Sequence, residues 1–474
     1  MIVVGLGLLL LLVEAFRDEK QGNDHVVLGI TIVGLLAALW SLTVNPWQPE
    51  YAPQQTHYLL AGTIAIDGLG SFFRAVLLLT ALLVALASLE YVKKRDIEVG
   101  SFYSLMLFAT AGAMFMVIAG DMLTFYMGLE LLSITSYILV GTFRRSYESS
   151  EASLKYLLNG AVASSVLLFG LSLIYGLTGS TSMEQIAARL FEIGATPLSL
   201  TAVLLVLSGL AFKISAVPFH FWTPDVYHGA PTPITAFLSV ASKGASFAAI
   251  LRIFYIAFGA IQAEWSLAFT VLSILSMTIG NIAALRQRNV KRMLAYSSVA
   301  HAGYILAGLA VASATGFSSV MFYILTYAFM NMAAFAAVIA VANQRDSEEL
   351  DAFKGLIHQA PWLAIVFLLA LLSLIGIPPF AGFWAKLYLF RATVQAGLFW
   401  LAVAIALNSA ISIGYYYNVV KTMFVSEAPT AGQPKFAVGS ALQIGLALAA
   451  IGVLALGLAP DAFLRWATLA ALVH

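Results

Sequence analysis

Fourteen apolar runs, each bounded by charged or turn residues, set the architecture open to this chain. They fall near residues 1–16, 26–44, 69–91, 101–120, 122–143, 156–178 and 195–217, then near 232–256, 265–285, 293–314, 317–342, 360–389, 396–420 and 437–458. A run of roughly 20 apolar residues is long enough to cross a bilayer as a helix. In lipid, only helices and closed barrels satisfy the backbone, and these runs lack the two-residue alternation of barrel strands. The expected fold is therefore all-α: a polytopic membrane bundle of about 14 helices. Composition agrees, because 61% of the 474 residues are hydrophobic and 10% are charged, whereas soluble domains carry about 25% charge. The first run, Met1 to Phe16, lacks the basic start of a cleaved signal and reads as a short span. Its shortness leaves room for a few residues upstream.

Charge excludes several functions and orients the bundle. With 24 Lys and Arg against 23 Asp and Glu, net charge is +1, so no basic surface argues for nucleic acid. Cysteine is absent, which removes disulfides, thiolate-held iron–sulfur clusters and a cysteine nucleophile from this chain. No Gly-rich phosphate loop or dinucleotide fingerprint is present either, so the chain is driven by an ion gradient or by a partner. Fifteen of the 24 cations, among them Arg17, Lys20, Lys93, Arg144, Arg286, Arg345 and Lys435, sit in loops after odd-numbered spans. Those loops are assigned to the cytoplasm and both termini to the outer side. Ser182 to Glu192 and Ser347 to Leu356 are too polar to span and are expected at the surface or along the interface.

Two spans are interrupted in the same way. Span seven ends Lys213-Ile-Ser-Ala-Val-Pro218-Phe219, and span twelve reads Gly376-Ile-Pro378-Pro379-Phe380, so a Pro-Phe break recurs 161 residues and five spans later. An odd offset makes the copies cross the membrane in opposite directions, the sequence mark of inverted repeats with unwound helices at mid-membrane. Four segments follow: helices 1–3 over residues 1–95, a first five-helix repeat over 96–258, a second over 259–424, and helix 14 within 425–474. Proline kinks serving packing alone are the plainer alternative.

Glu130 in span five, Lys213 and Lys386 at the breaks, and Lys243 in span eight interrupt otherwise uncharged runs, and His301 in span ten joins them. A charge at mid-membrane costs roughly 2.5–3.5 kcal/mol unless paired or hydrated, a penalty that suggests use. Moving one proton against about 150–200 mV needs roughly 3.5–4.6 kcal/mol. Making and breaking a buried pair between Glu130 and Lys213 is large enough to supply that. Each residue also has a plainer reading: a static Glu130–Lys213 bridge, a snorkelling Lys243, a helix-end anchor at Lys386, a satisfied interior His301. Glu151 and Lys155 are four apart and most simply form a solvated helix pair, with Lys155 as an alternative proton-uptake group. Asp67, Arg74 and Arg252 lie near span ends and read as interfacial. His220, Asp225 and His228 are too irregularly spaced for a metal site.

Phe212-Lys213-Ile-Ser-Ala-Val-Pro218-Phe-His220-Phe-Trp222-Thr-Pro224-Asp225-Val-Tyr227-His-Gly229-Ala-Pro231-Thr-Pro233, followed by Ala241-Ser242-Lys243, resembles the signature of the subunit N family of bacterial respiratory complex I, the proton-translocating NADH:quinone oxidoreductase. Gly128-Leu-Glu130-Leu-Leu-Ser, Glu151-Ala-Ser-Leu-Lys155-Tyr156, Asn289-Val-Lys291-Arg292-Met-Leu-Ala-Tyr296-Ser297-Ser298 and Gly376-Ile-Pro378-Pro379 add to the likeness. The resemblance implies an antiporter-like subunit in the inner (plasma) membrane of a bacterium, assembled with sister antiporter-like subunits. FMN, iron–sulfur clusters and quinone would then be held by partner subunits, and no cofactor by this chain. It implies that Glu130 and Lys213 are the family's buried pair, Lys243 its central lysine, His301 its relay histidine and Lys386 its distal lysine. Lysine at that last position, where a sister subunit has glutamate, points to subunit N, and no long lateral helix follows span fourteen. On this reading protons reach Lys243 from the cytoplasm, the Glu130–Lys213 pair gates loading, and charge passes through His301 to Lys386. A sodium/proton antiporter subunit is the main alternative. A purely structural membrane scaffold is a third.

Overall fold

The computed structural model describes residues 1–16, 24–43, 56–426 and 436–471. Arg17, Lys20 and Lys435, used above for orientation, lie outside them. Among the described residues eleven helices are long and apolar enough to cross a membrane. They are α2 (Asp24–Thr43), α3 (Gly68–Lys94), α4 (Val99–Val117), α5 (Met122–Val140), α6 (Tyr147–Thr178), α10 (Thr232–Ala257), α11 (Gly259–Ala284), α12 (Val290–Ala310), α13 (Ala314–Arg345), α16 (Phe399–Phe424) and α17 (Ser440–Leu458). Three apolar helices are shorter: α1 (Ile2–Ala15), α8 (Pro197–Lys213) and α14 (Pro361–Ile375). Helices α7 (Met183–Ile193), α9 (Trp222–Gly229), α15 (Ala381–Gln395) and α18 (Pro460–Ala470) complete the order, apart from a single helical turn at Leu356–Gln359.

Several boundaries lie beyond the apolar runs because the caps do. Ser146 accepts from the Ser149 N–H, so α6 starts well before residue 156 and takes Glu151 and Lys155 into its first turns. Asn289 caps α12 through the Arg292 N–H at 3.0 Å. Asp121 caps α5, and Thr196 closes a capping box with Ser199 ahead of Pro197 in α8. Such side chains satisfy N–H groups that a helix start leaves free. The segment Ser182 to Glu192 forms α7, with Met183, Ile186 and Leu190 buried at helical spacing. Ser347 to Leu356 holds only a short 3₁₀ turn at Leu350–Phe353, and its Glu348 turns inward rather than outward.

Three features lie outside the sequence reading. Helix α18 follows α17, so the C-terminal segment is more than one helix. A hairpin of β1 (His57–Leu59) and β2 (Ile64–Ile66), in register His57↔Ile66, joins the α4–α5 loop through the Ala65 N–H to Ile118 O bond. Asp67 and Arg252, read as interfacial, instead form a bidentate ion pair at 2.7 and 2.9 Å with both side chains 1% exposed. The partners are 185 residues apart, so no local pattern reveals them.

The centre of the bundle is α10, α12 and α13. Their apolar windows are 100%, 94% and 94% buried, against 28% for α2 and 33% for α6, so the central helices are enclosed almost entirely by their neighbours. Glycines let their neighbours approach. A Cβ on Gly112 of α4 would stand 2.5 Å from Leu132 N, and one on Gly303 of α12 would stand 2.5 Å from Met277 N. The reciprocal contacts, Gly128 to Met116 N and Gly280 to Ala300 N, are equally close. Small residues at such crossings are what packing in lipid selects.

Both interrupted spans break as the prolines require. Helix α8 stops at Lys213, Ser215 takes a positive φ of 61°, and α9 starts at Trp222. Helix α14 stops at Ile375, Gly376 has φ 93°, a conformation that favours glycine, and α15 starts at Ala381. Within α10, π-helical turns at Leu238–Ser242 and Ile253–Ala257 bracket the segment that begins at Lys243.

Candidate functional site

At the first break, Lys213 is 3% exposed. Its Nζ donates to Ser133 Oγ of α5 at 2.6 Å and lies 5.5–5.6 Å from the rings of Tyr137 and Tyr156. Glu130 stands one turn before Ser133 and is half-buried, with Oε1 lacking a hydrogen-bond partner. The expected Glu130–Lys213 ion pair is therefore open in this conformation: the ammonium rests on the hydroxyl beside the carboxylate. A buried carboxylate oxygen without a donor is costly, and Glu130 Oε1 is such an atom. The buried carbonyl end of α8 is capped by Trp222, whose Nε1 donates to Phe212 O at 3.0 Å.

Lys243 lies deeper, 4% exposed. Its Nζ donates to both Ser298 O and Ser298 Oγ, at 2.9 and 2.8 Å. Ser298 and His301 share one face of α12, one turn apart. His301 Nδ1 is 2.7 Å from Tyr323 Oη and Nε2 is 3.4 Å from Tyr416 Oη, and Tyr416 bonds Ser297. Tyr304, which packs edge-on to His301, places its ring 4.7 Å from Lys386 Nζ. Lys386 then donates to Ile375 O at 2.7 Å, the terminal carbonyl of α14. That end of a half-helix carries partial negative charge and suits an ammonium. Among the described residues neither Lys243 nor Lys386 has a carboxylate within ion-pair distance.

Three of the five residues singled out in the membrane, Lys243, His301 and Lys386, thus lie along one polar row, and Lys213 with Glu130 forms a separate cluster at the first break. Sequence reasoning missed the groups that connect them: Ser133, Ser298 and the tyrosines 304, 323 and 416. The hydroxyl content around Tyr296-Ser297-Ser298 was the one signal available. Lys155 is apart from the row. It is half-buried and bridges Glu151 and Asp225 at 2.8 and 2.9 Å, with Arg292 also on Asp225. Surface pairs of this kind contribute little stability. His220 is buried with Nδ1 unpartnered, and Asp225 is tied up by cations.

Residues 119–412 match the family described as NADH:quinone oxidoreductase/Mrp antiporter, transmembrane. The chain is 43% identical over its whole length to NADH-quinone oxidoreductase subunit N 2 of Symbiobacterium thermophilum, covering 96% of that protein. The chain belongs to the NADH:quinone oxidoreductase/Mrp antiporter membrane-subunit family. Another relative in the family, subunit N of Trichlorobacter lovleyi, is 41% identical over 98% of the chain and 93% of its own length. A chain of respiratory complex I from Thermus thermophilus superposes with a TM-score of 0.81 at 34% identity over 98% of both chains. A chain of the Mrp complex from Dietzia superposes at 0.85 with 24% identity over 99% of this chain and 97% of its own, which establishes a common fold.

Proposed function

We propose that this chain is the subunit N type of proton-translocating membrane subunit of an NADH:quinone oxidoreductase. The observation that carries the reading is the buried row from Lys243 through Ser298 and His301 to Lys386, with Lys213 and Glu130 at the first break; among the described residues neither Lys243 nor Lys386 has a carboxylate within ion-pair distance. Unpaired charge at that depth is retained where protons pass. Full-length identity above 40% to proteins named subunit N selects this family member.

In the proposed cycle protons reach Lys243 from the cation-rich side. Movement of Lys213 between Ser133 and Glu130 gates loading, and charge passes by way of Ser298, His301 and the tyrosine hydroxyls to Lys386. Quinone chemistry in partner subunits biases the Glu130–Lys213 pair electrostatically, and FMN and iron–sulfur clusters belong to those partners. The chain crosses a bacterial inner membrane fourteen times, the three shorter apolar helices included, with both termini outward. Repeats at 96–258 and 259–424 are supported by the glycine crossings Gly112/Gly128 and Gly280/Gly303, which fall on the first two helices of each repeat.

Gentle-detergent purification from the native membrane, with mass spectrometry and an NADH:quinone assay, tests the reading. Flavin and iron–sulfur subunits co-purifying with inhibitor-sensitive activity are expected. Recovery with other antiporter-like chains alone would instead assign a sodium/proton exchanger.

A further inference from the structure

The polar row has no water end of its own, because every member from Lys243 to Lys386 is buried. Solvent-accessible space reaches the start of α10. A cavity of about 600 Å³ opens at the cation-rich end between the α3–α4, α5–α6 and α13–α14 loops and the start of α10, lined by Arg95, Arg145, His228, Lys291 and Glu348 among others. Glu348 is its inward-facing acid. Its Oε1 accepts from Thr232 Oγ1 at 2.6 Å and from Lys291 Nζ at 3.3 Å. Lys291 is 3% exposed, so this pair belongs to the protein interior rather than to the surface network.

Thr232 opens α10, the helix that carries Lys243. Beyond it come Thr235, Ser239 and Ser242, all buried, at steps of three, four and three residues. That spacing lays hydroxyls along one face of the helix from Glu348 to Lys243. One buried oxygen on a neighbouring residue has no protein partner among the described residues: Asn331 Oδ1, whose amide donates to Ser239 at 2.6 Å; the Tyr227 ring lies 5.9 Å from Lys243 Nζ. A buried polar atom left open in this way recruits ordered water. Burial pushes the Glu348 carboxyl up, but Lys291, the Thr232 hydroxyl and Arg95 outweigh it and hold the acid below the usual glutamate range. It therefore meets the cavity as a carboxylate, ready to accept.

We propose that Glu348 is the proton-uptake carboxylate of this chain, taking protons from water in the cavity and passing them through the Thr232 hydroxyl and the hydroxyl face of α10 to Lys243. A hydronium ion leaves its proton on Glu348. Protonated Glu348 becomes the donor, the Thr232 hydroxyl turns so that its own proton points inward and is passed on as the acid's proton replaces it, and Lys291 re-forms the ion pair with the regenerated carboxylate. A hydroxyl with one proton and two lone pairs can do both at once. The assignment rests on the proton-translocating reading above.

The test uses the assembled complex in proteoliposomes, with each variant checked on a native gel and proton translocation read from about pH 6 to about pH 9. Glu348→Gln and Thr232→Val are expected to lose about tenfold in coupled rate, with the deficit widening as pH rises and protons become scarce. Glu348→Asp, which keeps a carboxyl, is expected to recover most of the rate. Glu349→Gln, on the exposed neighbour, is expected to behave as the parent. If either Glu348→Gln or Thr232→Val assembles and keeps the parent's rate and pH profile while Lys243→Ala loses translocation, the uptake assignment is wrong. If Lys243→Ala itself translocates normally, the underlying reading fails instead.

Discussion

The two broken helices use the same parts in exchanged roles. At the first break tryptophan closes the half-helix, Trp222 Nε1 on Phe212 O, and the lysine is free to sit on a side-chain hydroxyl of another helix. At the second break the lysine itself closes the half-helix, Lys386 Nζ on Ile375 O, while Trp384 reaches away to Gly457 O at 2.9 Å. The first lysine has a carboxylate one turn from its resting place; the second has only a helix end and a tyrosine ring. On the proposed reading, Lys213 changes partners and Lys386 holds a charge delivered to it.

This contrast can be broken most severely at the lysines. Lys213→Met and Lys386→Met should each abolish coupled proton translocation in the reconstituted complex, a loss of 10²-fold or more for a positioned proton-transfer group. They should differ in stability. Lys386→Met leaves the Ile375 carbonyl buried without a donor, costing about 1–3 kcal/mol, whereas Ser133 keeps its bond to Leu129 O after Lys213→Met. A thermal midpoint lowered by Lys386→Met alone, measured in detergent, is the expected pattern, and equal midpoints would erase the distinction. Next in size, Glu130→Gln should impair translocation while leaving the midpoint close to the parent's, because the carboxylate oxygen it alters is already unpartnered. Trp222→Phe should cost about 1 kcal/mol through the lost cap, and Trp384→Phe a similar amount without touching its lysine. The smallest effect concerns pH. The Glu348 carboxyl is held below its unfolded value, so it stabilises the fold above that unfolded value and loses the contribution as pH falls through the depressed one. The midpoint difference between parent and Glu348→Gln should therefore narrow on acidification below about pH 4.5.

The breaks and the lysines were legible in the sequence because each violates a local rule: proline inside an apolar run, or a charge where lipid is expected. Helix existence was legible for the same reason. What joins the lysines was not, since Ser133 and Lys213 meet across 80 residues and Lys243 and Ser298 across 55. Nothing in local periodicity encodes such meetings. The Asp67–Arg252 pair was misread because span ends do host exposed charges, and only packing reveals that this one is sealed. The hydroxyls at 232, 235, 239 and 242 were readable as a helical face, but inside a fully buried helix they resemble ordinary small residues until Glu348 is found at their end.

Every proposed transfer passes through Lys243. The decisive measurement is protons translocated per quinone reduced by the reconstituted complex carrying Lys243→Ala, with assembly verified. The account expects that ratio to fall, with NADH:quinone turnover slowed alongside it. A ratio and turnover equal to the parent's would contradict it.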